Sequence, residues 1–130
     1  MIVEEMMTNE VVTSTAEESL FDVLRKLSSN KFSCIVIVEE KKPIGIITER
    51  DLVELLIEML QGVKWEELAI KNFMTTPVIA VDEDMLLEEV IDLAHRNAIR
   101  HMPVVHKGTG ELVGILTQTD IVEGFYQEGS

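Results

Sequence analysis

The stretch GIITERDLV (45–53) recurs as GILTQTDIV (114–122), with five identities in nine positions. Outward from it the offset is 69 here and 67 upstream, where MTNEVVT (7–13) falls on MTTPVIA (74–80), Leu20 on Leu87, Val23 on Val90, Asn30 on Asn97 and Val38 on Val105. The two residues that change the offset lie around Gly108 to Gly110. A repeat that runs through nearly the whole chain decides the architecture before any single motif does.

Each half reads β-α-β-β-α. Short strands are expected at VVT (11–13) and VIAV (78–81), then at CIVIV (34–38) and MPVV (102–105), and after a turn at PIGIIT (43–48) and LVGILT (112–117). These runs are almost wholly apolar, as buried strands are. In the first half Thr15 and Glu18 suggest a capping box for a helix running to about Asn30, with Leu20, Val23, Leu24 and Leu27 on one face. The second half repeats the stripe as Leu87, Val90, Ile91 and Ala94, with Asp82 as the expected N-cap and Glu83 and Asp84 in the first turn. Further helices are expected near Asp51 and Asp120, and QGVKWEELAIKNF (61–73) reads as a turn and short helix with Trp65 and Leu68 turned inward. Repeats 1–66 and 67–130 are each too small to bury a good core alone. The expectation is therefore one α/β (α+β) disc, two pseudo-symmetric repeats packed sheet to sheet.

The helix after Asp51 is apolar on more than one side: Leu52, Leu55, Leu56 and Met59 make one stripe, and Val53, Ile57 and Leu60 another. One stripe suits the domain and the other a partner subunit. Ile121, Val122, Phe125 and Tyr126 give the second half a shorter apolar helix, so a homodimer is expected through Leu52, Val53, Leu56, Ile57, Leu60, Ile121 and Phe125.

Composition excludes several classes. Eleven basic against 24 acidic residues leave a net charge of −13, which argues against a nucleic-acid groove or an anionic membrane surface. A single cysteine, Cys34, excludes an internal disulfide, the acidic start MIVEEMMTNE is unlike a signal peptide, and no apolar run reaches membrane-span length. A soluble cytoplasmic domain is expected. His95, His101 and His106 have no zinc-type spacing, and Ser33 and Cys34 have no base-and-orienter set, so neither a metal site nor an enzyme is expected.

The chemistry lies in Gly-x-x-Thr-x-x-Asp, present as Gly45 to Asp51 and as Gly114 to Asp120. A strand ends at threonine and a helix begins within three residues. Hydroxyl and carboxylate there can serve as a capping box. Equally, a helix N-terminus offers donors to a phosphate, and an aspartate beside it can accept both hydroxyls of a ribose.

With Met7-Thr8 and Met74-Thr75 opening the repeats, an amphipathic helix, the middle strands CIVIV and MPVV, and the closing Gly-x-x-Thr-x-x-Asp, the chain resembles a tandem pair of cystathionine-β-synthase (CBS) domains, a Bateman module. The resemblance implies a regulatory module, not an enzyme. It would bind an adenosine nucleotide (AMP, ADP or ATP, with Mg²⁺ only alongside the nucleotide) or S-adenosylmethionine in clefts between the repeats. It also implies helix-mediated dimerisation and an effector protein or fused domain as the output. The primary site it implies comprises Arg100, His101, Ile115, Thr117, Thr119 and Asp120, with Met7, Glu10, Val12, Cys34 and Ile35 from the opposite repeat. A secondary site would comprise Ser33, Thr48, Arg50, Asp51, Pro77, Ile79 and Met102. Arg100 and His101 stand where the first repeat has Ser33 and Cys34, and a guanidinium contacts phosphate as serine and cysteine cannot. The alternative reading is a dimerising or protein-docking scaffold that holds no ligand.

Overall fold

The computed structural model describes residues 1–30 and 34–129, without the side chains of Asn30 and Trp65. In chain order the elements are α1 (Val3–Met6), β1 (Thr13–Ser14), α2 (Leu20–Asn30), β2 (Cys34–Glu39), β3 (Lys42–Thr48), α3 (Glu49–Leu60), a 3-10 turn (Trp65–Glu67), α4 (Ile70–Phe73), β4 (Val81–Asp82), α5 (Leu87–Asn97), β5 (His101–Val105), β6 (Leu112–Thr117) and α6 (Gln118–Gly129). The two β-α-β-β-α repeats are present, each with a three-stranded mixed sheet. In one the order is β1-β2-β3 and in the other β4-β5-β6, with the first pair parallel and the second antiparallel.

Two compact units form, a middle unit of Val12–Val78 and a terminal unit of Met1–Val11 with Ile79–Ser130. Their limits are cut differently from the repeats 1–66 and 67–130, because each repeat's opening Met-Thr pairs with the other's closing strand. Thr8 and Ile115 exchange two backbone hydrogen bonds of 2.9 Å, while Thr75 and Ile46 exchange bonds of 2.8 and 3.3 Å. The short helices α1 and α4, which precede these pairs at equivalent places, extend the repeat upstream of Met7.

The middle unit buries Val23, Leu27, Ile35, Ile37, Ile47 and Ile70, flanked by Val12, Ala16, Ile44, Leu52 and Met74. The terminal unit buries Val3, Met6, Val81, Leu87, Val90, Met102, Val104 and Leu116. The expected helix stripes thus supply both cores. Of QGVKWEELAIKNF, Ile70 is the buried residue and Leu68 is half-buried; the expectation for Trp65 lies outside the described side chains.

Two helix starts differ from expectation. Helix α2 begins at Leu20, where the Ser19 hydroxyl accepts from the Asp22 N–H at 3.1 Å, so Thr15 and Glu18 do not cap it. Glu18 is drawn away to the Ser14 hydroxyl and to Lys26 Nζ, the latter at 2.9 Å, and Lys26 also donates to the Thr13 carbonyl at 2.9 Å. Helix α5 begins at Leu87 rather than after Asp82, which lies in β4. Its first N–H donates to the Met1 carbonyl at 3.0 Å, so backbone from the chain's start does what a side-chain cap would do.

Candidate functional site

In the terminal unit, β6 runs into α6 at Thr117. The Thr117 N–H donates to Asp120 Oδ2 at 3.0 Å and the Asp120 N–H donates to Thr117 Oγ1 at 3.2 Å, a full reciprocal capping box. A carboxylate has about four lone-pair sites, so this bond leaves acceptor capacity on Asp120. Thr8, arriving on the opening segment, uses some of it: its hydroxyl lies 3.4 Å from both Oδ1 and Oδ2.

Of the expected primary residues, Thr117, His101 and Arg100 lie at this junction. His101 is the strand partner of Thr117, and the Gln118 N–H donates to the Arg100 carbonyl at 3.1 Å, which ties both basic residues to the start of α6. The Arg100 guanidinium is exposed and makes no ion pair among the described residues. The first turn of α6, an exposed guanidinium and a carboxylate with spare acceptors thus share one end of one sheet. That set suits a ligand with both an anionic group and a vicinal diol. Thr119 is exposed in the first turn of α6 and Ile115 is buried in β6.

Met7 lies across Gly114: a Cβ built there would sit 2.7 Å from Met7 Sδ and 3.0 Å from the Thr8 carbonyl oxygen. The glycine of the motif is therefore required by close approach of the opening segment. Glu10 is exposed in the same unit. Val12, Cys34 and Ile35 belong to the middle unit; Ile35 is fully buried and its side chain is spent in that core. Burial pushes the Cys34 thiol up to about 12, so the sulfur is held as neutral thiol, in keeping with an inert residue among aliphatics.

The middle unit repeats the junction with a different wiring. The Thr48 N–H donates to Asp51 Oδ2 at 2.9 Å, and the Thr48 hydroxyl turns to the same oxygen at 3.3 Å. Cys34 is the strand partner of Thr48, and Arg50 is exposed without an ion pair among the described residues. Ser33 lies outside the described residues. Pro77 is exposed in the middle unit, whereas Ile79 and Met102 belong to the terminal unit, where Met102 is a core residue.

The residue that sequence reasoning missed is Thr8. It was visible as the threonine of the repeated Met-Thr, but its partner is 112 residues away and no local spacing reveals it. Among the helix residues expected at a dimer interface, Val53, Leu56, Ile57, Leu60 and Phe125 are exposed, Leu60 at 88%. Leu52 and Ile121 instead pack against their own unit's core. Val122 and Tyr126 take their place outward, because with 3.6 residues per turn they lie beside Phe125.

A family model for the CBS domain matches residues 3–58 and 70–126, and the chain is a tandem pair of domains of the CBS family. CBS modules are regulatory rather than catalytic. An uncharacterized protein of Methanopyrus kandleri is 38% identical over 93% of this chain and 61% of its own length. The inosine-5′-monophosphate dehydrogenase of Methanocaldococcus jannaschii is 26% identical over 92% of this chain and 23% of its own. The chain thus spans less than two thirds of either relative. Among solved structures, the CBS domain pair of protein MJ0100, in complex with 5′-methylthioadenosine and S-adenosyl-L-methionine, is similar at a TM-score of 0.83 and 26% identity, with 98% of each chain covered. A protein with CBS domains from Burkholderia ambifaria shares the fold at a TM-score of 0.82 and 20% identity, over 100% of this chain and 97% of its own.

Proposed function

We propose that the chain is a ligand-sensing regulatory module whose principal site takes an adenosyl compound at Asp120. The observation that carries this is the Asp120 carboxylate, held at the start of α6 with acceptor capacity to spare, beside the exposed guanidinium of Arg100. On this reading Asp120 accepts the ribose hydroxyls, while Thr117, Thr119, Arg100 and His101 receive the 5′ substituent, which is a phosphate in AMP, ADP or ATP. Where a polyphosphate binds, Mg²⁺ accompanies it. The resemblance to the MJ0100 pair, solved with two adenosyl ligands, supports the adenosine half of the reading. The Asp51 junction is a secondary site, with Arg50 as its one basic neighbour on the helix.

The module works in the cytoplasm as a homodimer. The exposed faces of α3 (Val53, Leu56, Ile57, Leu60) and α6 (Val122, Phe125, Tyr126) meet their counterparts in a second copy, and the ligand's effect passes to an effector protein or a fused domain. Leu60→Glu with Phe125→Glu should convert a dimer to monomers in light scattering; an unchanged mass removes these faces from the interface.

A scaffold without ligand is the competing reading, favoured by the capping role that both aspartates already fill. The experiment that separates the two is a thermal-shift screen against AMP, ADP, ATP, S-adenosylmethionine and inorganic phosphate, repeated on Asp120→Ala. A ligand at about a hundred times its dissociation constant adds roughly 2.7 kcal/mol, a shift of several degrees. A shift with one adenosyl compound that disappears in Asp120→Ala supports the sensor. A cooperative melt that none of the five compounds moves supports the scaffold.

A further inference from the structure

The two aspartates differ in who occupies them. Asp51 is satisfied within its own junction, by the N–H and hydroxyl of Thr48, and among the described residues the hydroxyl of Thr75 makes no bond to it. Asp120 receives its hydroxyl from outside, from Thr8, which straddles the two carboxylate oxygens as one hydroxyl of a diol would. We propose that Thr8 is a built-in occupant of the Asp120 site, and that a ribose diol entering there displaces it and loosens the opening segment of the chain. The inference rests on the adenosyl reading above.

The structure provides a route for the consequence. Thr8 is held to β6 by a single bridge to Ile115, an isolated pair of hydrogen bonds, so loss of its side-chain anchor falls on a short attachment. Immediately before it, Met7 fills the space over Gly114 and its N–H closes α1 on the Val3 carbonyl at 2.9 Å. The same short helix sets Met6 against α6, where a Cβ on Gly124 would lie 2.5 Å from Met6 Sδ. From Asp120 the contacts therefore run through Thr8 and α1 back to α6, the helix that exposes Val122, Phe125 and Tyr126. A ligand can move such an equilibrium only by its different affinity for the two arrangements, and competition for one carboxylate supplies that difference. In the middle unit, where Thr48 plays the part of Thr8, ligand entry at Asp51 has no hydroxyl of the opening segment to displace.

The test is amide hydrogen exchange on the full chain with and without AMP, or with whichever compound the screen identifies, in wild type, Thr8→Val and Thr8→Ser. In wild type the ligand should speed exchange at Met7 and Thr8. In Thr8→Val exchange there should already be fast and indifferent to ligand, and affinity should rise roughly two- to tenfold because one hydrogen bond no longer has to be broken. Thr8→Ser, which keeps the hydroxyl, should behave as wild type. Slower exchange at Thr8 on binding, or weaker binding by Thr8→Val, would overturn the proposal and make Thr8 a contact of the ligand instead. Absence of binding to wild type is a different failure: it removes the adenosyl reading, and the displacement falls with it.

Discussion

Three equivalent positions are filled in opposite ways in the two units. In the middle unit Ser14, Glu18 and Lys26 form a partly buried polar cluster; 67 residues on, the terminal unit has Val81, Met85 and Leu93, a core residue and two neighbours packed against that core. One backbone arrangement accepts an ion pair or a hydrocarbon patch. The lesson is that the polar version is not required for the fold, since an ion pair loses on desolvation much of what it gains by attraction. The polar version nevertheless has consequences of its own. Glu18 left the helix start where its sequence position suggested a cap, and the middle unit acquired a titratable group that the terminal unit lacks.

The comparison is sharpest at the two motif glycines. A Cβ at Gly114 would lie 3.0 Å from the backbone oxygen of Thr8 as well as against Met7, whereas a Cβ at Gly45 would meet only the side chain of Met74 among its nearest atoms, at 2.5 Å from Sδ. Backbone cannot turn aside as a thioether can. Gly114→Ala should therefore cost about 2–3 kcal/mol and Gly45→Ala about 1 kcal/mol, read from chemical denaturation. Equal costs would mean that the Thr8 segment yields as easily as a methionine side chain.

Next in size is the polar cluster. Glu18→Ala removes the carboxylate to which the Ser14 hydroxyl and Lys26 both donate, and should cost about 1–2 kcal/mol, a modest value because Lys26 and Glu18 are 36% and 25% exposed and because Ser14 and Lys26 also donate to the Thr15 and Thr13 carbonyls. Replacing all three residues by their terminal-unit counterparts, Ser14→Val, Glu18→Met and Lys26→Leu, should stay within about 1 kcal/mol of wild type or exceed it. A triple variant less stable than Glu18→Ala would show that the units are not interchangeable here. The same pair predicts a pH effect. Burial pulls the Glu18 carboxyl up, but hydrogen bonds from Lys26 and Ser14 outweigh this and hold it below its ordinary value of 4.5. A carboxyl lowered on folding stabilises fully above its unfolded value, and that contribution is lost as pH falls through the folded one. Acidification below about 4.5 should thus destabilise wild type more steeply than the triple variant, a difference that melting curves across that range will detect.

The smallest expected effect lies at the end of α5, where Ala98 takes φ 51° and ψ 42°. Ala98→Gly should raise stability by about 0.5–1 kcal/mol, since glycine adopts this left-handed conformation without penalty.

The repeat made the element order legible, and the apolar spacings of 20–27 and 87–94 identified the residues that fill the two cores. What could not be read locally was long-range. The start of α5 is capped by the carbonyl of Met1, the cap of α2 moved because Glu18 found Ser14 and Lys26, and each Met-Thr crossed to the other repeat's strand. At the site, Thr117 and Asp120 follow from the motif and Arg100 and His101 from the family resemblance, and strand pairing and the β6–α6 junction bring the four together locally. Thr8 does not, because its place depends on a bridge to Ile115 that spans most of the chain. Spacing alone does not show that Leu52 and Ile121 face inward, because an apolar helix leaves the inward side ambiguous until its neighbours are known.

We propose the Asp120 junction, with Arg100 and His101 beside it, as the principal adenosyl site and the Asp51 junction as a subordinate one. Calorimetric titration of AMP and of S-adenosylmethionine into wild type, Asp120→Asn and Asp51→Asn tests it directly, since asparagine can still cap either helix. Asp120→Asn should weaken the tighter binding event by about tenfold or more while Asp51→Asn leaves it unchanged. Loss in Asp51→Asn with Asp120→Asn unaffected, or the same affinity in all three proteins, would contradict it.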